Sequence, residues 1–331
     1  MVKPFAKVTS RTQINRLRGL ARRALPAWGL AEADLRLLVH GYNTTFRVDT
    51  TDGRRFALRV NTQPHKTAEH LCGEVAWLAA LSAETDLHVP TPQPTRAGEL
   101  SATIASPDHE RPLPMVLFSW LDGPNLGSSW TKRQARTAGA AMATLHNHAE
   151  TWPMPAGAWF SNYRSVLTDV PNRLGDHPAL NAEASTVLLA ALEATQRLQD
   201  EVFAAGPIIP LHADLHGENL KWHQGRLGIF DFDDAGLGPP GLDLSISAYY
   251  LRLRLMTGAE EALRAGYETV RPLPRLTTEQ LDGMVVGRNV LLINDVIQQP
   301  NAALQSMVPS YVERSVKRMR IWLDTGEFRR E

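Results

Sequence analysis

The sequence has one cysteine, Cys72, so no disulfide can close within the chain, and a reducing, cytoplasmic setting is the expectation. It has no apolar run long enough to span a bilayer, so no membrane partner is expected. It has no excess charge: 35 Lys and Arg stand against 35 Asp and Glu, which removes the global electrostatic reason to expect nucleic acid. Internal repeats and low-complexity tracts are absent too. What remains is ordinary globular material. The 331 residues, 43% hydrophobic and 21% charged, suffice for two domains or one bilobal unit with a substantial core.

Acid is also missing locally. Ahead of Glu32 stand Lys3, Lys7, Arg11, Arg16, Arg18, Arg22 and Arg23 with no Asp or Glu among them. Such a start can mark an organelle transit peptide. However, Ile14, Leu17, Ala21, Ala24 and Leu25 share one side of a helical repeat that Pro26 ends, so an amphipathic helix over 11–25 is expected instead.

The chain then changes character midway. Alternation predicts strands at Asp34–His40, Phe46–Asp49 and Arg55–Val60, with Asp52-Gly53 as a turn. A helix follows over about 67–82, with Leu71, Val75 and Leu78 on one stripe. Pro90, Pro92 and Pro94 interrupt before two further strands near 100–104 and 115–121. Beyond Gly123 the sequence turns helical, with long helices expected at 131–148, 181–204, 242–256, 276–296 and 304–323. A small sheet with one helix, followed by a larger helical body, is an α+β pattern and not a repeating βαβ one.

Chemistry concentrates where the helical body is interrupted, from Ile209 to Asp234. Residues 219–222 and 226–230 read as two short strands joined by a turn at Gln224-Gly225. Such a hairpin brings Asn219 at one base near Asp231 at the other. Their oxygens suit Mg²⁺, which takes a few carboxylate or amide oxygens together with phosphates and water. Asp214, five residues before Asn219 on the incoming loop, could accept a proton from an attacking hydroxyl.

Three stretches in order resemble the aminoglycoside phosphotransferase and choline kinase-like family, distant relatives of protein kinases. They are His212-x-Asp214-x-x-x-x-Asn219, the apolar strand ending Ile229-Phe230-Asp231, and Gly236 through Asp243-Leu244. The resemblance implies a protein-kinase-like bilobal fold. A nucleotide-binding lobe over 1–121 would carry an antiparallel sheet and one helix, and a mainly helical lobe over 122–331 would carry the catalytic loop and acceptor site. It implies ATP and Mg²⁺, with Asp214 catalytic, Asn219 and Asp231 as metal ligands, His212 supporting the loop and Asp243 bracing it.

In the nucleotide lobe the family pairs a strand cation with a helix Glu. Phe56, Leu58 and Val60 share one strand face, which puts Arg59 on the other, and Glu74 flanks the Leu71/Leu78 stripe and wants a cationic partner. Arg59 and Glu74 are therefore the expected pair, with Arg where protein kinases have Lys; its fork can still grip phosphates. Gly41, Asn43 and Thr44 lie in a stretch similar to the family's phosphate-covering loop. Ser119-Trp120-Leu121 resembles the hinge whose backbone meets the adenine, so Ser119 and Leu121 join the expected nucleotide contacts.

Other histidines and acids have plainer readings. His146 and His148 read as a packed, hydrogen-bonded pair at a helix end, His216 as a local loop contact, and Asp233 and Asp234 as either substrate contacts or a solvated turn. The expected function is ATP-dependent transfer of the γ-phosphate to a hydroxyl of a small molecule: an amino sugar, amino alcohol or amino acid. One alternative is a Ser/Thr protein kinase of the stress-response type, although no stretch resembles a peptide-docking activation segment. The other is a metal-dependent hydrolase using His212, Asp214 and His216 as ligands.

Overall fold

The acid-free leading segment folds as an amphipathic helix, α1 (Ser10–Ala24), capped by the Thr9 side chain accepting from the Thr12 amide. In this computed structural model, which describes residues 4–63, 66–107, 109, 111–254, 256–299 and 302–328, the chain forms two compact units. One comprises Met1–Asp122 with Met154–Trp159, the other Gly123–Pro153 with Phe160–Glu331. Pro26 does not stop the leading helix outright. It sits in the first turn of a 3₁₀ segment, Leu25–Trp28, where proline costs no hydrogen bond, and Gly29 closes that turn at φ 74°.

The first unit continues with β1 (Asp34–His40), β2 (Thr44–Asp49), β3 (Arg55–Val60), α2 (Ala68–Glu84), β4 (Ala102–Ile104) and β5 (Leu113–Ser119). The sheet order is β1-β2-β3-β5-β4, and every pairing is antiparallel. One face packs on α1. Leu17, Leu20, Ala21 and Ala24 meet Phe46, Val48, Leu58, Val60, Met115 and Leu117 in one buried cluster. Each large side chain there contributes roughly 1.5–3 kcal/mol by leaving water. The strand period then turns Arg59 to the opposite face.

In the second unit, α3 (Lys132–Thr151) starts at a capping box in which Thr131 and Gln134 exchange hydrogen bonds. Then come β6 (Ser161–Asn162), α4 (Ala182–Ala205), β7 (Ile209–Leu211), β8 (Leu220–His223), β9 (Arg226–Ile229), β10 (Gly236–Gly238), α5 (Pro240–Leu253), α6 (Ala259–Tyr267), α7 (Thr278–Gln298) and α8 (Ala302–Thr325). β8 and β9 form a two-stranded antiparallel hairpin. β10 lies between β6 and β7, parallel to the first and antiparallel to the second. The main core gathers Leu188, Tyr249, Val285, Val286, Val290, Ile293, Met319 and Trp322 from α4, α5, α7 and α8.

Two features depart from the sequence reading. Helix α5 ends at Leu253, and a nine-residue helix, α6, follows where none was expected. It docks on α3 through two glycines: a Cβ on Gly139 would lie 1.8 Å from the Leu263 carbonyl, and one on Gly266 would lie 1.9 Å from the Arg136 carbonyl. The three strands of the small sheet were also unread, because segments of two or three residues exist only by pairing with each other. Among the described residues no helix is long and apolar enough to cross a membrane.

Candidate active site

Within the first unit, Arg59 on β3 donates from Nη2 to Oε2 of Glu74 on α2 at 2.5 Å, with side chains 7% and 2% exposed. Burying two charges is costly, and setting them against each other offsets part of that cost. The neighbouring loop is tight, since the Gly41 amide donates to the Asn43 carbonyl. The Asn43 side chain accepts from the Thr62 amide, which ties the loop to the end of β3. Thr44 is fully buried, with its hydroxyl 2.8 Å from His40 Nδ1. At the far end of β5, Ser119 is bound to Thr91 by both its amide and its hydroxyl. The Leu121 side chain is buried beyond it, and Asp122 accepts from Trp120 Nε1 and Arg55 Nη2.

In the second unit, β7 leads into the loop 212–219, where the backbone is held against its own preferences. Ala213 has φ 61° and Asp231 has φ 65°. A left-handed alanine costs roughly 1–2 kcal/mol, so something must hold it. Asp243, in the first turn of α5 and fully buried, accepts from the Ala213 amide at 2.7 Å through Oδ1 and from the His212 amide at 3.1 Å through Oδ2. His146 Nε2 also reaches Asp243 Oδ2 at 3.2 Å, and its Nδ1 lies 2.8 Å from the Tyr267 hydroxyl. The loop is thereby fastened through α5 and α3 to α6.

His212 is the second clamp. Its Nδ1 accepts from the Asp214 amide at 3.3 Å, so Nε2 carries the proton and donates to the Phe230 carbonyl at 3.1 Å. Burial lowers its pKa, against the opposing fields of Asp243 and Asp214, and keeps the ring neutral. Gly217 lets the same loop pass against the chain at Gly127, whose carbonyl would stand 1.8 Å from any Cβ.

Asp214 projects from this frame with its side chain 16% exposed. Oδ2 accepts from Asn219 Nδ2 at 2.9 Å and from His216 Nε2 at 3.2 Å. Since His216 Nδ1 accepts from the Glu218 amide, Nε2 carries the proton and donates to Asp214. Oδ1 accepts from Arg288 Nη2, and the Tyr250 hydroxyl stands at 3.5 Å. Burial would raise the Asp214 pKa, but the Arg288 charge and the His216 hydrogen bond outweigh it and hold the carboxyl below its usual range. Burial pushes the Tyr250 phenol up to about 12, so it remains a hydrogen-bond donor at neutral pH.

The hairpin puts Asn219 and Asp231 at its open end. Leu220 pairs with Ile229, the Phe230 amide donates to the Asn219 carbonyl, and Asp231 is the next residue, exposed. Asn219 Nδ2 is committed to Asp214, so its amide oxygen is the atom that could face a cation. One carboxylate and one amide oxygen at a hairpin mouth fit Mg²⁺, which keeps water and phosphate oxygens as its other ligands. A three-ligand cage does not fit. Among the described residues no three His, Cys, Asp or Glu side chains gather as one. The hydrolase alternative also fails locally, because both His212 nitrogens are taken by backbone groups, the Asp214 amide and the Phe230 carbonyl. Nor does a long segment of the peptide-docking kind precede α5, which begins at Pro240, two residues after β10.

Sequence reading missed Arg288, Tyr250 and Tyr163 as neighbours of this loop; the Tyr163 hydroxyl donates to the Asp234 carbonyl at 2.7 Å. The available signal was Arg288 itself, a cation one turn from Met284 and Val285 on a helix buried nearly all round. Such a residue demands a carboxylate.

An antiparallel five-stranded lobe followed by a helical unit, with a braced His-x-Asp loop and a hairpin ending in Asp, is the architecture of kinase-like phosphotransferases. Residues 34–276 match the phosphotransferase enzyme family, and the chain belongs to that family. It is a phosphotransferase. A homoserine kinase of Phenylobacterium zucineum is 29% identical over 246 residues, covering 70% of this chain and 69% of that protein. The structure of a microcompartment-associated aminopropanol kinase aligns with TM-score 0.82 and 28% identity over 95% of this chain and all of that one. An amicoumacin kinase with AMP-PNP and Ca²⁺ aligns with TM-score 0.76 and 17% identity, covering 93% of this chain and 96% of that one, a likeness of fold.

Proposed function

We propose that the chain transfers the γ-phosphoryl group of ATP, with Mg²⁺, to the hydroxyl of a small molecule. The observation that carries this reading is the Asp214 carboxylate, held on a strained, braced loop and tied through Oδ2 to Asn219 beside Asp231. Asp214 orients the acceptor hydroxyl and takes its proton as the new O–P bond forms and the bond to the departing ADP oxygen breaks. Because its pKa is held low, it acts more by orientation than by basic strength. His216 and Asn219 fix the carboxylate, and His212 and Asp243 fix the loop that carries it. Asn219 and Asp231 would hold Mg²⁺, which when bound screens the phosphate charge. In the first unit, Arg59, fixed by Glu74, grips nucleotide phosphate oxygens, and Gly41, Asn43 and Thr44 line the loop that covers them. Backbone groups near Ser119 and Leu121 meet the base. A hydroxyl acceptor accords with the aminopropanol and homoserine kinases among its relatives.

The test is thermal unfolding with and without Mg·ATP in the wild type and in Asp231→Ala. Stabilisation by Mg·ATP that is lost in the variant is the expected result. Equal stabilisation of both proteins would remove Asp231 from the site, and none in the wild type would defeat the reading.

A further inference from the structure

Four groups crowd the Asp214 carboxylate, and they fall into two sets. Those on Oδ2, from His216 and Asn219, belong to the same short loop and are fixed with it. Those on Oδ1, from Arg288 on α7 and Tyr250 on α5, come from separate helices. An acceptor hydroxyl must therefore enter at Oδ1, and Arg288 must yield that oxygen.

Arg288 cannot simply let go. Its side chain is 9% exposed, and a guanidinium left without an anion in such a place is strongly disfavoured. Its fork is also half used. Nη2 donates to Asp214 and to the Tyr250 hydroxyl at 3.1 Å, while the adjacent Nε is sealed from solvent with no acceptor. Two parallel N–H donors on one edge match the two oxygens of a carboxylate. A phosphate would bring a second negative charge beside Asp214, which this guanidinium already meets.

We propose that the acceptor carries a carboxylate as well as its hydroxyl, and that Arg288 swings off Asp214 to present its Nε–Nη2 edge to this carboxylate, releasing Asp214 Oδ1 to the hydroxyl. The substrate class is thus a hydroxylated amino acid rather than an amino sugar or simple amino alcohol. This rests on the phosphotransfer reading above. The same exchange explains why the Oδ1 side is latched by a residue from α7: only an acceptor with the right anion opens it.

The experiment measures ADP release with matched acceptors: homoserine against the corresponding aminopropanol, and serine against ethanolamine. Wild-type protein, Arg288→Lys and Arg288→Met are compared, each checked for folding and for Mg·ATP stabilisation. The carboxylated member of a pair should be preferred by roughly ten- to hundredfold in kcat/KM, the scale of a hydrogen-bonded charge pair. Arg288→Met should erase that preference mainly through KM. Arg288→Lys, which keeps the charge but not the fork, should retain part of it, and it carries the test if the methionine variant fails to fold. Equal or better turnover of the decarboxylated members, or a preference unchanged in either variant, overturns the carboxylate proposal and leaves phosphotransfer standing. Absence of Mg·ATP stabilisation in the wild type overturns both.

Discussion

Replacing Asp243 with Asn tests the loop frame without touching any residue proposed to meet substrate. The carboxylate accepts from the Ala213 amide at 2.7 Å, the His212 amide at 3.1 Å and His146 Nε2 at 3.2 Å. Asparagine fits the space but offers one accepting oxygen, and its NH₂ then faces at least one N–H. A charged hydrogen bond contributes about 1.5–3 kcal/mol, and a buried donor left facing another donor costs about 1–3 kcal/mol. The variant should therefore lose roughly 2–5 kcal/mol, a large share of a typical domain's total of about 5–15. Part of the loss falls on Ala213, whose left-handed φ of 61° would no longer be held. Displacing the loop by about 1 Å should also cut turnover by about a hundredfold. Urea unfolding gives the stability, hydrogen exchange at the Ala213 amide reports the local bond, and ADP release gives turnover. A variant with unchanged midpoint and unchanged protection at Ala213 would refute the brace.

Glu74→Gln should destabilise by about 1.5–3 kcal/mol in denaturant, because the buried, charge-assisted hydrogen bond from Arg59 would lose its carboxylate. The double variant Glu74→Leu with Arg59→Met should recover most of that stability while losing Mg·ATP stabilisation; equal losses in single and double variants would refute the pair as described. His212 has a lowered folded pKa, so the unfolded chain takes its proton first as pH falls. Its contribution is present in full above about pH 6.5 and is lost as pH drops through the folded value, so the fall in melting temperature over that range should be shallower in His212→Gln. An identical slope in the two proteins would contradict a buried, neutral His212.

Local sequence carried much of the architecture. The five strands of the first unit and α2 were legible from alternation and from the apolar stripe, and the Arg59 side of β3 followed from its period of two. The hairpin was legible from its turn: Gln224 and Gly225 both have positive φ, at 49° and 81°, as a two-residue turn of the primed type requires. Helix α6 was not, because Gly139 and Gly266 make it a docking helix whose reason lies on α3. Arg288 was not, because it reaches Asp214 across 74 residues of chain, and nothing local specifies a partner at that distance.

If phosphotransfer turns on Asp214, acceptor-dependent ADP release by Asp214→Asn, measured alongside Mg·ATP thermal shifts, should show it. Turnover reduced by about a hundredfold or more, with nucleotide stabilisation intact, is the predicted result. Wild-type turnover in that variant would contradict the account.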